Sequence, residues 1–204
     1  RLNILTTPWN NMQTSNRKLI LGFVGEMASG KGTAVAYLKE KHGASTYSFS
    51  GMLRDILDRL YLPHTRDNMI DLSVWVRGHF GEDTMARTMA NDIEKDQNHL
   101  IAVEGIRRPA DIEYLKKMSG FHVVEIVADE RTRYERLVKR AQNPGDTTKT
   151  LEEFQADSQK PTEISIRDVA KEATERVDNN GGAEELYGQL DELIKKYESQ
   201  YHSH

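Results

Sequence analysis

A glycine-rich turn between an apolar run and a helical segment constrains this chain more than any other feature. The apolar run Leu19–Val24 leads into GEMASGKGT, residues 25–33, and a helix-like segment follows and stops at Gly43. Glycines at 25 and 30 allow a tight turn that aims several backbone N–H groups inward, and the following helix adds positive potential at its first turn. The turn therefore predicts a binding site for a nucleoside triphosphate.

The spacing and order of residues in this turn assign a role to each position. We expect Lys31 to meet the β- and γ-phosphates, and the Thr33 hydroxyl to reach Mg²⁺ or a phosphate oxygen. The strict Walker A pattern has Ser or Thr directly after the lysine, whereas this chain has Gly32 there and Thr33 one place later. The predicted ATP-binding positions of the loop are Gly25, Ala28, Ser29, Gly30, Lys31, Gly32 and Thr33.

Short apolar strands that alternate with helical patterns set the fold class. Further apolar runs at 46–49, 99–103 and 122–128 each precede a helical pattern, and 176–178 predicts a brief edge strand. Helices are expected at 109–117, 151–174 and 183–197. Such alternation is typical of a parallel sheet with right-handed crossovers and helices on both faces, and 204 residues suit one domain. We predict an α/β, three-layer P-loop NTPase fold with a parallel five-stranded sheet.

The overall charge and the absence of cysteine restrict the partners. A formal net charge of -4 gives no general positive field, so neither a nucleic acid polymer nor an anionic membrane is expected as a partner. The chain has no Cys, which excludes disulfides, Cys-based zinc sites and a thiolate nucleophile. No apolar stretch approaches the roughly 20 residues of a membrane helix. We expect a cytoplasmic monomer or homodimer that binds small-molecule nucleotides.

The spelling Gly30-Lys31-Gly32-Thr33 resembles adenylate kinases and their nucleoside monophosphate kinase relatives. In that family the helix after the second strand carries an arginine for the acceptor's phosphate, and residues 50–54 (SGMLR) resemble this stretch, with Arg54 at the matching position. The aspartate usual between the glycine and the hydrophobic pair is missing here. The resemblance implies Mg²⁺-dependent transfer of the γ-phosphate of ATP to a nucleoside or deoxynucleoside monophosphate. The alternative for Arg54 is an ordinary exposed side chain on an amphipathic helix.

The junction after the third predicted strand adds Glu104 and Arg107. A carboxylate at the carboxyl end of a buried strand lies where α/β sheets place their chemistry. We expect Glu104 to hold a metal ion through water or to orient the acceptor, and Arg107 to bind the acceptor's phosphate. This junction, with residues 65–83 and 129–140, resembles the P-loop proteins described as dephospho-CoA-kinase-like or adenylate-kinase-like.

That resemblance implies a single kinase domain at 18–198 with a helical acceptor-binding insertion at about 52–97. Arg66 and Arg77 match basic positions of the insertion and would face the acceptor. Ion pairs with neighbouring carboxylates are the alternative for both arginines. The carboxylates concerned are Asp67, Asp71 and Glu82. A flexible leader is expected at 1–17 and a tail at 199–204.

The end of the domain, VDNNGGAEEL, is similar to the end of dephospho-CoA kinases, where an Asn-Gly turn lies near the ATP base. The resemblance makes Asn180 an ATP-binding residue. True dephospho-CoA kinases carry an Asp-x-Asp signature after the second strand, whereas this chain has Ser48-Phe49-Ser50. Dephospho-CoA kinase stays open as an alternative function, and a regulatory nucleotide-binding ATPase as a second.

Three arginines after the fourth predicted strand form the last candidate group. Arg133, Arg136 and Arg140 are three and four residues apart, so they project from one face of a helix. Arginines brought in by closure stabilise the charge that spreads over the oxygens of a transferring phosphoryl group. We predict catalytic roles for these arginines in an Arg-rich lid at about 130–160. A solvated helix paired through Glu130 and Glu135 is the alternative.

Overall fold

The structure is a computed structural model that describes residues 18–141 and 146–202. Its central feature is a five-stranded sheet. Its strand order is β2-β3-β1-β4-β5, and every pair is parallel. The predicted leader at 1–17 lies outside the described residues. The strands are β1 Leu19–Val24, β2 Ser45–Ser48, β3 Leu100–Glu104, β4 Phe121–Val127 and β5 Glu175–Asp178. The predicted α/β fold with a parallel five-stranded sheet is confirmed.

Helices connect the strands and cover both faces of the sheet. They are α1 Lys31–His42, α2 Phe49–Arg59, α3 Arg66–Phe80, α4 Thr84–Lys95, α5 Pro109–Ile112, α6 Glu130–Arg140, α7 Leu151–Asp157, α8 Pro161–Ala170 and α9 Ala183–His202, with 3₁₀ turns at Leu115–Lys117 and Asp146–Thr148. Side chains cap several helix starts: the Gly51 N–H donates to Ser48 Oγ at 2.9 Å at the start of α2.

Helix boundaries differ from the sequence prediction at three places. The helix expected from 109 to 117 ends at Ile112, and a 3₁₀ turn follows. The segment expected to be helical from 151 to 174 is divided before Pro161, because Lys160 is extended and a proline favours the first position of a new helix. The last helix continues to His202 instead of ending at Tyr197, so most of the predicted tail is helical.

The sheet separates two hydrophobic layers. On one face Phe23 packs with residues of α1 and α9, such as Leu38 and Leu190. On the other face Ile20 and Ile101 pack with residues of α2, α4 and α8. β1 is the central strand of the sheet and is buried on both faces. The turn that follows it therefore lies at the middle of the sheet, between the two hydrophobic layers. Ligands of open α/β sheets bind at this kind of topological switch point.

The region predicted as an acceptor-binding insertion contains two different kinds of helix. Helix α4 buries Met89 and Ile93 in the core, whereas α3 buries no side chain completely. The outer face of α3 exposes Ile70, Val74 and Trp75, each at least about half accessible. No helix in residues 18–141 or 146–202 is both long and apolar enough to cross a membrane.

Candidate nucleotide-phosphate site

The loop after β1 has the backbone of a tight anion-binding turn. Gly25 and Gly30 have φ values of 148° and 107°, and Ala28 adopts a left-handed φ of 61°. A Cβ on Gly25 would lie 2.4 Å from the carbonyl oxygen of Ile126. No larger residue fits there without moving β4. Strain of about 1 kcal/mol at the non-glycine Ala28 is characteristic of a loop shaped for binding.

Asn179 supports this loop from the end of β5. Its Nδ2 donates to the Ser29 carbonyl oxygen at 2.7 Å, and its own N–H donates to the Val127 carbonyl at 2.7 Å. A Cβ on Gly30 would lie 2.0 Å from the same Nδ2, so glycine is required beside the amide. Asn179 was not predicted as a site residue, although it lies in the same Asn-Asn-Gly turn as Asn180.

Asn180 connects two loops at the carboxyl edge of the sheet. Its Oδ1 accepts from the Asp129 N–H at 2.7 Å, which ties the start of α6 to the turn after β5. Asn180 also lines a cleft of about 260 Å³ together with Ser29, Ala128 and Asp129. The residue therefore lies beside the phosphate loop, and its contact with an ATP base stays a prediction.

The Lys31 side chain folds back over the loop. Its Nζ donates to the carbonyl oxygens of Gly25 at 2.6 Å and Glu26 at 3.0 Å. Burial lowers the pKa of Lys31 from its ordinary 10.5 to about 8. The ammonium is thus poorly solvated, and a phosphate group beside it would favour its charged form.

Four charged side chains surround Lys31 closely enough to change its pKa. Glu163 and Glu104 raise this pKa, while Arg107 and Arg140 lower it. The structure thus brings together the end of β3, the end of α6 and the start of α8. Glu104, Arg107 and Arg140 were predicted for this site. Glu163 was not, since it lies in a charged helix without a motif.

Glu104 and Thr33 were predicted to hold a metal ion, and Thr33 is an exposed residue in the first turn of α1. Glu104 ends β3, and its Oε2 lies 4.0 Å from where a Cβ on Gly32 would be. Across residues 18–141 and 146–202 its carboxylate has no hydrogen bond or ion pair, and no group of three or more His, Cys, Asp or Glu side chains is arranged for a metal. Mg²⁺ is usually held by one or two protein oxygens plus substrate phosphates and water, so this donor set fits.

The three arginines of α6 have three different surroundings. Arg133 is 5% exposed, and its guanidinium forms an ion pair with Glu26 at 3.0 Å. Arg136 donates to backbone carbonyl oxygens in the loop 179–181. Arg140 is exposed and lies in the electrostatic range of Lys31. The common face was expected, but the burial of Arg133 was not.

Two of the predicted acceptor arginines are exposed. Arg54 donates to Ser50 Oγ at 3.1 Å at the start of α2. Arg66 is the first residue of α3 and forms no ion pair within the described part of the chain. Both are accessible to a ligand, and their roles stay predictions.

Arg77 has stronger structural support as a binding residue. It donates to Ser73 Oγ one turn earlier, while its Nε is buried without a hydrogen-bond partner in the described residues. Burial and the nearby Arg108 lower the pKa of Arg77. Glu82, one of the carboxylates named in the alternative for Arg77, pairs instead with Arg108 at 3.0 Å. An anion entering this region would satisfy a cation that the protein leaves incompletely paired.

Comparisons with known proteins agree with this architecture. Residues 24–155 match the family described as AAA domain. The chain is 29% identical over 181 residues to a UPF0200 protein of Pyrococcus furiosus, covering 86% of this chain and 96% of that protein. It is 28% identical over 179 residues to a UPF0200 protein of Staphylothermus marinus, covering 88% and 93%.

Solved structures with the same fold include two shikimate kinases. The enzyme from Bacteroides thetaiotaomicron superposes with a TM-score of 0.58 at 15% identity, over 87% of this chain and 98% of that one. The enzyme from Acinetobacter baumannii, in complex with shikimate, gives 0.54 at 18% identity, over 90% and 94%. At these identities the likeness concerns the fold.

Proposed function

This chain belongs to the AAA domain family and has the fold of P-loop kinases, and from this premise we propose that it transfers the γ-phosphate of ATP to a nucleoside or deoxynucleoside monophosphate. The observation that carries the proposal is the group of cations at one end of the phosphate loop. The charges of Arg107 and Arg140 both lower the pKa of Lys31, and neither guanidinium has a hydrogen bond or ion pair in the described residues. Cations without protein partners beside an anion-binding loop are suited to phosphoryl transfer.

The donor half of the site consists of the loop and the start of α1. Backbone N–H groups and Lys31 bind the triphosphate, and the turn around Asn180 borders the base. Thr33 and Glu104 would hold Mg²⁺, which when bound neutralises charge on the β- and γ-phosphates. Arg140 stabilises the charge on the transferring group, and Arg136 keeps α6 against the turn after β5.

In this proposal the β3–α5 junction and helices α2 and α3 form the acceptor half. Arg107 and Arg77 would bind the acceptor's phosphate, and the exposed Arg54 and Arg66 would contact the rest of the acceptor. A phosphate monoester, whose second pKa is near 6, presents a deprotonated oxygen at neutral pH and needs no general base. An alcohol acceptor does need one, and the end of β2 offers Ser48 and Ser50 where a carboxylate would serve. This difference favours a phosphate acceptor over dephospho-CoA.

The test is a panel of acceptors with Mg-ATP. It contains nucleoside and deoxynucleoside monophosphates, dephospho-CoA and shikimate, with ADP release and the mass of the product measured together. We expect ADP formation that requires one monophosphate and equals the amount of phosphorylated product. The Lys31→Ala variant, purified identically, controls for contaminating kinases. Hydrolysis at one rate across the panel would contradict the proposal and fit a regulatory ATPase, and preference for dephospho-CoA would favour that alternative.

A further inference from the structure

Helix α8 touches the phosphate loop at two consecutive turns. The Met27 N–H of the loop donates to Glu163 Oε2 at 3.2 Å. One turn later, Arg167 donates to Glu26 Oε1 at 3.0 Å. Glu26 is itself paired with the buried Arg133 of α6, also at 3.0 Å. The second and third residues of the loop are therefore held by side chains that come from far along the chain.

The Glu163 contact has the chemistry of a bound anion. A carboxylate accepts a hydrogen bond from a backbone N–H of a loop whose N–H groups form a cradle for phosphate. Of the charges that favour the protonated form of Lys31, this carboxylate has the largest effect on the pKa of the lysine. Glu163 thus contacts one amide of the loop directly and favours the charged form of the lysine ammonium through its electrostatic field.

We propose that Glu163 is an internal occupant of the phosphate site, which binds the nucleotide-free loop in place of a phosphate and leaves when the triphosphate enters. This inference rests on the proposed function, because it assumes that a triphosphate binds here. Two negatively charged groups cannot share the Met27 amide and Lys31 without strong repulsion. Binding of the nucleotide therefore includes the cost of displacing Glu163. The apparent affinity equals the affinity of the free loop multiplied by the fraction of molecules in which the loop is free.

The anchoring of α8 limits how much of the helix has to move. Ile166 and Val169 are buried in the core, and they fix the second half of the helix. Arg167 also donates to the Ser158 carbonyl at 3.0 Å, which links this helix to the end of α7. Displacement therefore concerns the first turn of α8, where Glu163 is partly exposed.

The test compares Glu163→Gln with wild type. Glutamine keeps the shape of the side chain and removes the charge that competes with phosphate. The matched control is Asp168→Asn, which removes one negative charge from the same helix at a residue paired with Lys171. Calorimetry with Mg²⁺ and a non-hydrolysable ATP analogue measures affinity. Hydrogen exchange of the Met27 amide in nucleotide-free protein measures the contact itself.

We expect Glu163→Gln to bind the analogue about five- to tenfold more tightly than wild type, and its Met27 amide to exchange faster. Asp168→Asn should match wild type in analogue affinity and in Met27 exchange. Equal or weaker binding by Glu163→Gln, in protein that unfolds at the wild-type temperature, overturns the inference alone. Absence of binding by wild type and both variants overturns the proposed function itself. In wild type, the amides of residues 163–167 should exchange faster once the analogue is bound, and unchanged exchange there also overturns the displacement.

Discussion

The side-chain amide of Asn179 donates to the Ser29 carbonyl oxygen at 2.7 Å, joining two residues that are 150 positions apart in the sequence. The amide also lies where a side chain on Gly30 would be. The shape of the phosphate loop thus depends on the turn after β5 as well as on the loop's own glycines. Formation of the last parallel strand pair, β4 with β5, brings this support into place.

Asn179→Ala should weaken nucleotide binding about tenfold and lower stability by about 1–2 kcal/mol, because the buried Ser29 carbonyl loses its partner and the loop loosens. Calorimetry and thermal unfolding measure the two effects. Asn98→Ala is the control, since its side chain donates to the Gly43 carbonyl at 2.7 Å and accepts from the Leu100 N–H at 3.2 Å, and neither partner belongs to the phosphate loop. A similar loss of nucleotide affinity in both variants would contradict the role of Asn179.

The sequence predicts the local parts of this site and misses the parts that depend on distant contacts. The loop, its glycines and the strand before it are contiguous, so their spacing is visible without a structure. Glu163 and Asn179 reach the loop only through the order of the strands and the position of α8, which no local pattern records. Helical spacing predicts that Arg133 and Arg140 project from one face of α6, but it contains no information about depth, and of the two only Arg133 is buried.

Lys31→Met should change how stability depends on pH. The folded pKa of about 8 lies below the ordinary 10.5, so between these pH values the unfolded chain holds the proton more tightly than the folded one. The wild-type free energy of unfolding should therefore rise, relative to that of the variant, by about 1–3 kcal/mol between pH 8 and 10.5. Urea unfolding at several pH values measures it.

The control for this titration is Lys39→Met, at an exposed position of the same helix. Of the two variants, Lys31→Met should show the larger pH-dependent difference from wild type, because the Lys31 side chain is the more buried one. Parallel curves for wild type and Lys31→Met would show that the Lys31 ammonium is not desolvated in the folded protein.

Arg133→Met and Arg140→Met should separate structure from catalysis within α6. Loss of Arg133 removes a buried partner of Glu26, so we expect stability to fall by about 2–4 kcal/mol. Loss of the exposed Arg140 should leave the unfolding temperature unchanged and reduce kcat about a hundredfold or more. Thermal unfolding and steady-state kinetics of the two variants measure this. A stable Arg133→Met with low kcat would instead support the direct catalytic role predicted from sequence.

Arg77→Met should raise the KM for the acceptor about tenfold or more without destabilising the fold. The Arg77 Nε is buried without a partner, and burial lowers the pKa of the side chain, so the folded protein gains little from this charge. Acceptor kinetics and urea unfolding test both statements. Arg87→Met, which removes an exposed arginine paired with Asp83 at 3.9 Å, is the control and should change neither. Marked destabilisation by Arg77→Met with normal KM would assign the residue to the fold.

Glu104→Gln tests the metal and acceptor half of the site. Since the carboxylate has no hydrogen bond or ion pair in the described residues, its neutral isostere should leave the unfolding temperature unchanged. Loss of the charge beside Gly32 should raise the Mg²⁺ concentration needed for half-maximal rate and lower kcat about a hundredfold. The control is Glu113→Gln, at an exposed position after α5. A metal-linked role of Glu104 changes both kcat and the Mg²⁺ concentration needed for half-maximal rate. If kcat falls while this Mg²⁺ concentration stays at the wild-type value, Glu104 acts on the acceptor and not through the metal.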